Sequence, residues 1–294
     1  METWLVLVNP MAGRRPLDPD RVADALKGAG VDFDLEVPAN GDAMRDSIGV
    51  AARERRRLVA VAGGDGTANL AVNQILRTEW TAPPILGILP AGTGSDLLRT
   101  FGITNDLDEA ARHLLGESTY PIDVGRLDGE WGTRYFVNVA QTGVGAAAAE
   151  TAQGMGRGWG QVRYPLAFLR RLPRFPAARV TIDLDQRSHD SNGLAVIFAN
   201  GQFFAGGWNV APRASLTDGR LDLQVIDCKK TYALRLVPKI IKGLHLTDGA
   251  VRRYSSPGFL LATSIPWPIE ADGDLVGNTP VAVSVVTGAL DLKI

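Results

Sequence analysis

The stretch "LVAVAGGDGTANLAVNQI", residues 58–75, decides the fold. Its apolar run Leu58–Ala62 has the length of a strand and stops at Gly63-Gly64-Asp65-Gly66-Thr67, and a helix is predicted from about 67 to 77. A strand, a glycine turn and a helix in succession aim backbone N–H groups at a phosphate. The helix N-terminus carries unpaired donors and the positive end of the helix dipole. A carboxylate at the centre of that turn should repel a phosphate. Asp65 therefore has one of two jobs, meeting a cation or capping the helix that starts at Thr67.

Outward from this stretch the pattern repeats. "TWLVLV" (3–8), "VDFDLEV" (31–37) and "ILGIL" (85–89) read as strands. Helices are expected at 18–30, 42–57 and 96–115, the first two from apolar residues at helical spacing. Strand–helix alternation of this kind predicts an α/β domain with a doubly wound parallel sheet and ligands at the carboxyl ends of its strands. After about residue 125 the texture changes to strands separated by turns, at 134–141, 178–185, 193–200, 220–227, 258–263 and 281–286, with helices only near 144–172 and 231–243. The expected organisation is an α/β domain over 1–125, rejoined by a returning strand at 287–294, and a mainly antiparallel β domain over 126–286.

Composition narrows the partners. The 294 residues are 45% hydrophobic and 21% charged, with a formal net charge of −1, so no global basic excess points to nucleic acid. The single cysteine, Cys228, excludes an internal disulfide and reads as a buried structural thiol. The N-terminal "METWLVLVNPMAG" lacks the basic region of a signal peptide, and no apolar run approaches the roughly 20 residues of a spanning helix. A soluble cytoplasmic protein is expected. His113, His189 and His245 sit in a helical stretch, a polar turn and a helix end, none of them a catalytic setting.

Three glycine turns follow predicted strands of the first domain: "VNPMAGRR" (8–15), the pentad at 63–67, and "LPAGTGSDLLRTFGI" (89–103). In a parallel sheet all three lie along one edge. Their glycines let backbone approach a polyphosphate, Thr67 and Thr93 offer hydroxyls, and Arg14 and Arg15 supply positive charge. Nucleoside triphosphates arrive with Mg²⁺, a hard cation that takes oxygen ligands, so Asp65, with Asp96, is expected to face the metal. Phosphoryl transfer to a hydroxyl also needs a group to accept the proton. The acids Asp272 and Asp274 flank Gly273 in "WPIEADGDLVGN", a tight turn between strands that by itself is more often a plain hairpin.

Taken together, "GGDGT", "LPAGTGSDLLR" and the late "ADGD" resemble the diacylglycerol kinase catalytic-domain family, bacterial lipid kinases related to the sphingosine and ceramide kinases. "VNPMAG" is similar to the family's opening Asn-Pro-x-x-Gly, so the likeness spans nearly the whole chain. It implies an ATP-dependent phosphotransferase acting on a lipid hydroxyl such as that of diacylglycerol. Asn9, Gly13, Arg14, Gly63, Gly64, Asp65, Gly66, Thr67, Ala68, Asn69, Gly92, Thr93, Asp96 and Arg99 would serve ATP and its Mg²⁺. Asp272 would be the general base, with Asp274 in support where the family more often has Glu, and Asp272→Asn would keep the shape while removing the base. "ASLTDGRLDL" (214–223) resembles a second Mg²⁺ site, held by Asp218 and the backbone carbonyls of Ser215 and Arg220, and Asp123 matches an acid of the family's interdomain charge network. Two positions depart from the family pattern: Val37 stands where a threonine is usual, and Ser95 where asparagine is commoner.

A lipid substrate must be met at a membrane. Residues 151–182 contain six arginines, Arg157, Arg163, Arg170, Arg171, Arg174 and Arg179, and no acid. That stretch either binds an anionic membrane surface or is a solvated helix whose Trp159, Phe168 and Leu169 pack inward. Phe203, Phe204 and Trp208 either line an acyl-chain cleft or belong to the β-domain core. The expected partners are a lipid at the membrane surface, through peripheral association, and a possible homodimer, with no nucleic acid. The rivals are a NAD kinase-like enzyme built on the same pentad and a catalytically silent nucleotide- or lipid-binding module.

Overall fold

Residues 58–77 form the strand, turn and helix that their sequence predicts, with one shift. The strand is Leu58–Gly63, and the helix, Asp65–Arg77, starts two residues before Thr67, with Gly64 as its N-cap and no side-chain cap. Asp65 is thus the first helical residue, and the capping role is not the one its side chain plays. The computed structural model describes residues 2–13, 16–90, 95–103, 105–155, 162–184 and 187–294.

The chain divides into two units, Met1–Val124 with Thr287–Ile294, and Gly125–Val286. The first contains β1 (Trp4–Val8), α1 (Pro19–Ala29), β2 (Phe33–Glu36), α2 (Gly41–Arg53), β3 (Leu58–Gly63), α3 (Asp65–Arg77), β4 (Ile85–Pro90), α4 (Asp96–Thr100), α5 (Leu107–His113) and the start of β5 (Tyr120–Gly129). The second continues with β6 (Gly132–Phe136), β7 (Val139–Gly143), α6 (Val144–Gln153), α7 (Arg163–Arg171), β8 (Ala178–Leu184), β9 (Arg187–Gly193) and β10 (Ala195–Ala199). Then follow β11 (Phe203–Phe204), β12 (Trp208–Asn209), β13 (Leu221–Ile226), α8 (Lys230–Ile241), β14 (Val251–Ser256), β15 (Gly258–Thr263), β16 (Pro268–Ala271), β17 (Asp274–Asn278) and β18 (Val281–Lys293).

In the first unit, β2, β1, β3 and β4 pair in parallel, and the end of β18 adds a further parallel strand through Asp291–Lys293 on Ile85–Gly87. Local chemistry sets the helix ends. Asp18 caps α1 through the N–H of Asp20, Gly30 closes it at φ +81, and Asn40 caps α2 through the N–H of Ala43. The helix expected over 96–115 is two helices, because Gly102 turns left-handed at φ +70 and Asp106 starts a new N-cap on Glu109. Val6, Leu26, Ala60 and Leu89 are fully buried in this unit's core.

The second unit is antiparallel. One sheet runs β14-β13-β10-β7-β16-β17, and a second joins the start of β18 to β15, β8 and β9. Phe136, Phe198, Leu223, Phe259 and Trp267 bury their side chains in the core. Two expectations fail here for identifiable reasons. The single strand over 134–141 is broken between Phe136 and Val139, where the backbone N–H groups turn to a side chain instead of a neighbouring strand. The polar stretch around His189 is a strand and not a turn: β9 has one neighbour, β8, and exposes alternate residues, so apolar patterning is not required of it. Among the described residues no helix is long and apolar enough to cross a membrane.

Candidate functional site

The pentad is tied to both other glycine turns by side chains. The Oδ1 atom of Asp65 accepts the backbone N–H of Asp96 at 2.8 Å and the hydroxyl of Ser95 at 3.1 Å. Asn9 donates its Nδ2 to Thr67 Oγ1 at 2.8 Å, while its Oδ1 accepts the N–H of Met11 at 3.1 Å. So one oxygen of Asp65 holds the N-terminus of α4. Ser95, where asparagine is commoner in the family, keeps a hydroxyl for that contact and also caps α4 through the N–H of Leu98. Arg99 lies in the last turn of α4, and Gly13 has φ +81. Arg14, Gly92 and Thr93 lie outside the described residues, as do Arg15, Arg157 and Trp159.

The pentad's residues divide into two kinds. Thr67, Ala68 and Asn69 are buried, and Asn69 accepts a hydrogen bond from Asn73 Nδ2, so all three support the turn from behind. A Cβ on Gly63 would meet Thr67 Oγ1 at 2.4 Å, so that glycine is required by the packing of strand against helix. A Cβ on Gly64 or Gly66 would meet nothing within 4 Å. The chain itself does not demand glycine at those two positions, and a ligand approaching the backbone would.

The late acids occupy one hairpin of the second unit. Asp272 and Gly273 join β16 to β17 with φ +47 and +95, the two positive values that a tight hairpin of this kind requires. The Asp272 carboxylate accepts three backbone N–H groups: Val137 at 2.6 Å, and Asn138 and Val139 at 3.0 Å each. Asp274 pairs with Arg134 at 2.5 Å. The expectation that Asp272→Asn leaves the fold untouched is therefore corrected. An amide nitrogen in this nest would face donors with a donor.

Sequence reasoning missed Glu270, two residues before Asp272. It is fully buried, its Oε2 accepts from Gln141 Nε2 at 2.8 Å, and its Oε1 accepts the N–H of Gly273. Burial raises its pKa to about 8, against the pull of those two hydrogen bonds, and the charges of Asp272 and Asp274 add to the rise. The readable signal was a charged residue inside the apolar strand "PIEA". Gln141 also donates to the hydroxyl of Tyr164 at 3.3 Å, which donates in turn to the carbonyl of Gly145 at 3.2 Å. Burial pushes the Tyr164 phenol upward, so it stays a neutral donor.

Gln141 and Tyr164 are the polar end of a cavity of about 210 Å³. Its other walls are apolar, among them Phe168, Ile197, Phe204, Trp208, Leu236 and Ile240. Tyr164 meets Phe204 and Trp208 edge-on, with ring centroids 5.8 and 5.3 Å apart. Phe204 and Trp208 thus line the cavity and also pack against a small core cluster that includes Val139, Ile197 and Val210.

Asp218 accepts the N–H of Arg220 at 3.1 Å, and Ser215 bonds Thr217 within the same loop. Nearby Asp222 has an orphaned, buried Oδ2, lies 3.8 Å from Arg253, and has its pKa raised by burial and by the charge of Asp218. A second carboxylate near Asp218, with a buried unpaired oxygen, is the kind of donor a hard cation takes together with backbone carbonyls. Among the described residues there is no cluster of three or more His, Cys, Asp or Glu side chains for a metal. Asp123 holds the N–H of Gly288 at 2.9 Å. His245 is buried against Gln224 at 2.7 Å, with burial lowering its pKa, and Cys228 is free and half-buried.

Comparison with known proteins adds the following. Residues 3–127 match the diacylglycerol kinase catalytic domain, and residues 138–294, more than half of the chain, match the YegS C-terminal NAD kinase beta sandwich-like domain. The chain is 30% identical to a diacylglycerol kinase of Mycobacterium tuberculosis over 91% of its own length and 86% of the relative's. It is 27% identical to a diacylglycerol kinase of Bacillus subtilis, over 95% and 92%. A solved diacylglycerol kinase structure from Bacillus anthracis shares the fold with a TM-score of 0.75 at 20% identity, covering 99% of this chain and 96% of that one.

The glycine geometry yields a paired prediction. Gly63→Ala should lower the melting temperature, whereas Gly66→Ala should leave it unchanged or raise it, since alanine is favoured in helices by about 0.5–1 kcal/mol. Nucleotide binding, read by calorimetry with ATP, should weaken in Gly66→Ala all the same. Glu270 yields a second. Folded Glu270 keeps its proton up to about pH 8, while the unfolded chain loses it near the ordinary 4.5, so its contribution to stability is full below about 4.5 and lost as pH rises toward 8. The melting temperature of the wild type relative to Glu270→Gln should accordingly fall by several degrees between pH 5 and pH 8.5, as scanning calorimetry would show.

Proposed function

The chain belongs to the diacylglycerol kinase family of lipid kinases, and we propose that it transfers the γ-phosphoryl group of ATP to a hydroxyl of a lipid such as diacylglycerol. The observation that carries this reading is the apolar cavity whose one polar end, Gln141 and Tyr164, leads by hydrogen bonds to the hairpin of Asp272. An acyl chain fits apolar walls, and a headgroup hydroxyl fits the polar end. A dinucleotide acceptor, as in a NAD kinase, needs polar partners along its length that these walls do not offer.

In the proposed reaction Asp272 takes the proton as the lipid oxygen attacks the γ-phosphorus and ADP departs. Such base assistance is worth roughly 10²–10⁴ in rate. Asp274, held by Arg134, steadies the turn. The open backbone at Gly64 and Gly66, at the start of α3, receives the phosphates, and Arg14 and Arg99 answer their charge. When bound, Mg²⁺ would supply further positive charge at the transferring group; Asp65 and Asp96 would meet that ion, and Asp218, with the carbonyls of Ser215 and Arg220, would hold a structural one. Asp222 joins that second set by its orphaned oxygen.

Peripheral membrane binding is part of the same proposal. On α7, Leu166 and Leu169 are exposed along with Arg163 and Arg170, Arg174 is exposed just after its end, and Leu234 is exposed on α8. Leu169 and Leu234 also line the cavity, so its rim carries the apolar residues that would enter a lipid surface. Two arginines of the basic stretch have other duties: Arg171 pairs with Glu150 at 2.8 Å and Arg179 with Asp190 at 2.6 Å.

Radiolabelled ATP with a bacterial lipid extract should give a labelled lipid, and the absence of any labelled lipid would sink the proposal. Asp272→Asn should lower kcat by about 10²–10⁴ with ATP affinity kept, and should also lower the melting temperature, so kcat must be read well below it. Replacing Arg163, Arg170 and Arg174 by Gln should weaken pelleting with phosphatidylglycerol vesicles, an effect that added salt mimics. Unchanged pelleting would remove α7 from the membrane face.

A further inference from the structure

Glu270 has no role in the chemistry above, yet it is wholly buried, where a charged carboxylate is costly and an apolar residue would serve packing better. Each of its oxygens has a partner that matters. Oε1 holds the N–H of Gly273, the peptide unit that follows Asp272, and Gln153 Nε2 holds the Gly273 carbonyl at 2.8 Å. The turn is clamped from both sides while Asp272 sits at φ +47, a strained value for a residue with a side chain. Oε2 takes Gln141 Nε2, and that same nitrogen reaches the Tyr164 hydroxyl on the cavity wall. At Gly145 a Cβ would meet Gln141 Oε1 at 2.0 Å and Tyr164 Oη at 3.3 Å, so only glycine there leaves room for the pair to pack against the backbone.

An unbroken run of contacts therefore joins the apolar cavity to the Asp272 turn, all within one unit: Tyr164, Gln141, Glu270, Gly273. Resting on the lipid-kinase reading, we propose that this run is a positioning relay. Glu270 fixes the geometry of Asp272 according to whether an acyl chain presses on Tyr164, so that chain length is read out in turnover as well as in affinity. Remote binding energy raises kcat only when it changes the geometry at the reacting group, and this relay supplies the connection. Glu270 and Gln141 are positioning residues, and Tyr164 is the specificity-determining one.

The test compares dihexanoylglycerol with didecanoylglycerol in detergent micelles, each at saturation. Wild-type kcat should favour the longer chain by about fivefold or more, and Tyr164→Phe and Glu270→Ala should bring the ratio near one. Glu270→Gln can keep both hydrogen bonds once the Gln141 amide turns over, so it should hold the wild-type ratio within about twofold. A merely structural Glu270 would lower kcat for both lipids equally and leave the ratio intact, and that result overturns the relay. A Tyr164→Phe enzyme with the wild-type ratio does so as well, which keeps the test decisive if Glu270→Ala does not fold. Amide hydrogen exchange gives a readout free of activity: didecanoylglycerol should slow exchange across residues 270–276 in the wild type and not in Tyr164→Phe. Equal slowing in both rejects the relay with the kinase reading intact, whereas a wild type that phosphorylates no lipid rejects the reading and the relay together.

Discussion

Three backbone N–H groups converge on the carboxylate of Asp272, and much of the second unit is arranged around that fact. Consecutive amides at 137, 138 and 139 cannot point one way in a regular strand, where successive N–H groups alternate in direction. Turning them all to one acceptor breaks the chain into β6 and β7. Leaving three such donors buried and unpaired would cost on the order of 1–3 kcal/mol each. The hairpin carrying Asp272 is in turn laid against β7 by the pairing of β16, with Asp272 N–H returning to the carbonyl of Val139 at 3.0 Å. One acid thus joins a strand break to a hairpin 133 residues further along the chain.

Much of this was legible and some was not. The parallel half announced itself because buried strands and amphipathic helices have different periods, and because glycine turns mark their junctions. The antiparallel half was legible where one strand face is buried and opaque at β9, where "RSHDSNG" is ordered by its pairing with β8 and shows no apolar alternation. Asp65, Asp272 and Asp274 could be singled out from motif and spacing. Their partners could not, since Asp65 with Ser95 and Asp272 with Val137 meet only after the sheets have formed. Glu270 was passed over because one acid in a short apolar strand carries no period and no motif.

Asp65 repeats the logic of Asp272 on a smaller scale. A carboxylate that accepts a backbone N–H at the start of a helix stabilises that helix through its dipole and fixes where it begins. Asp65 does this for α4 across 31 residues of sequence, and so fixes the third glycine turn's helix relative to the pentad's. The initial puzzle of an acid beside a phosphate turn accordingly has a partial answer without any cation. The turn needs an acceptor to hold its neighbour, and a carboxylate is the strongest one available.

Three acids within five residues, Glu270, Asp272 and Asp274, should repel one another, and the fold gives each a different environment. Glu270 is sealed from water, and burial favours its neutral form up to about pH 8. Asp272 is caged by amide donors that favour a negative acceptor. Asp274 sits at the surface against the guanidinium of Arg134. The hairpin therefore holds one acid neutral, one compensated by dipoles and one compensated by a cation. Identical carboxylates this close would share their protons, and the three environments keep these acids distinct. It also explains why Glu270 can be kept beside Asp272: as a neutral group it adds hydrogen bonds to the turn without adding a second negative charge.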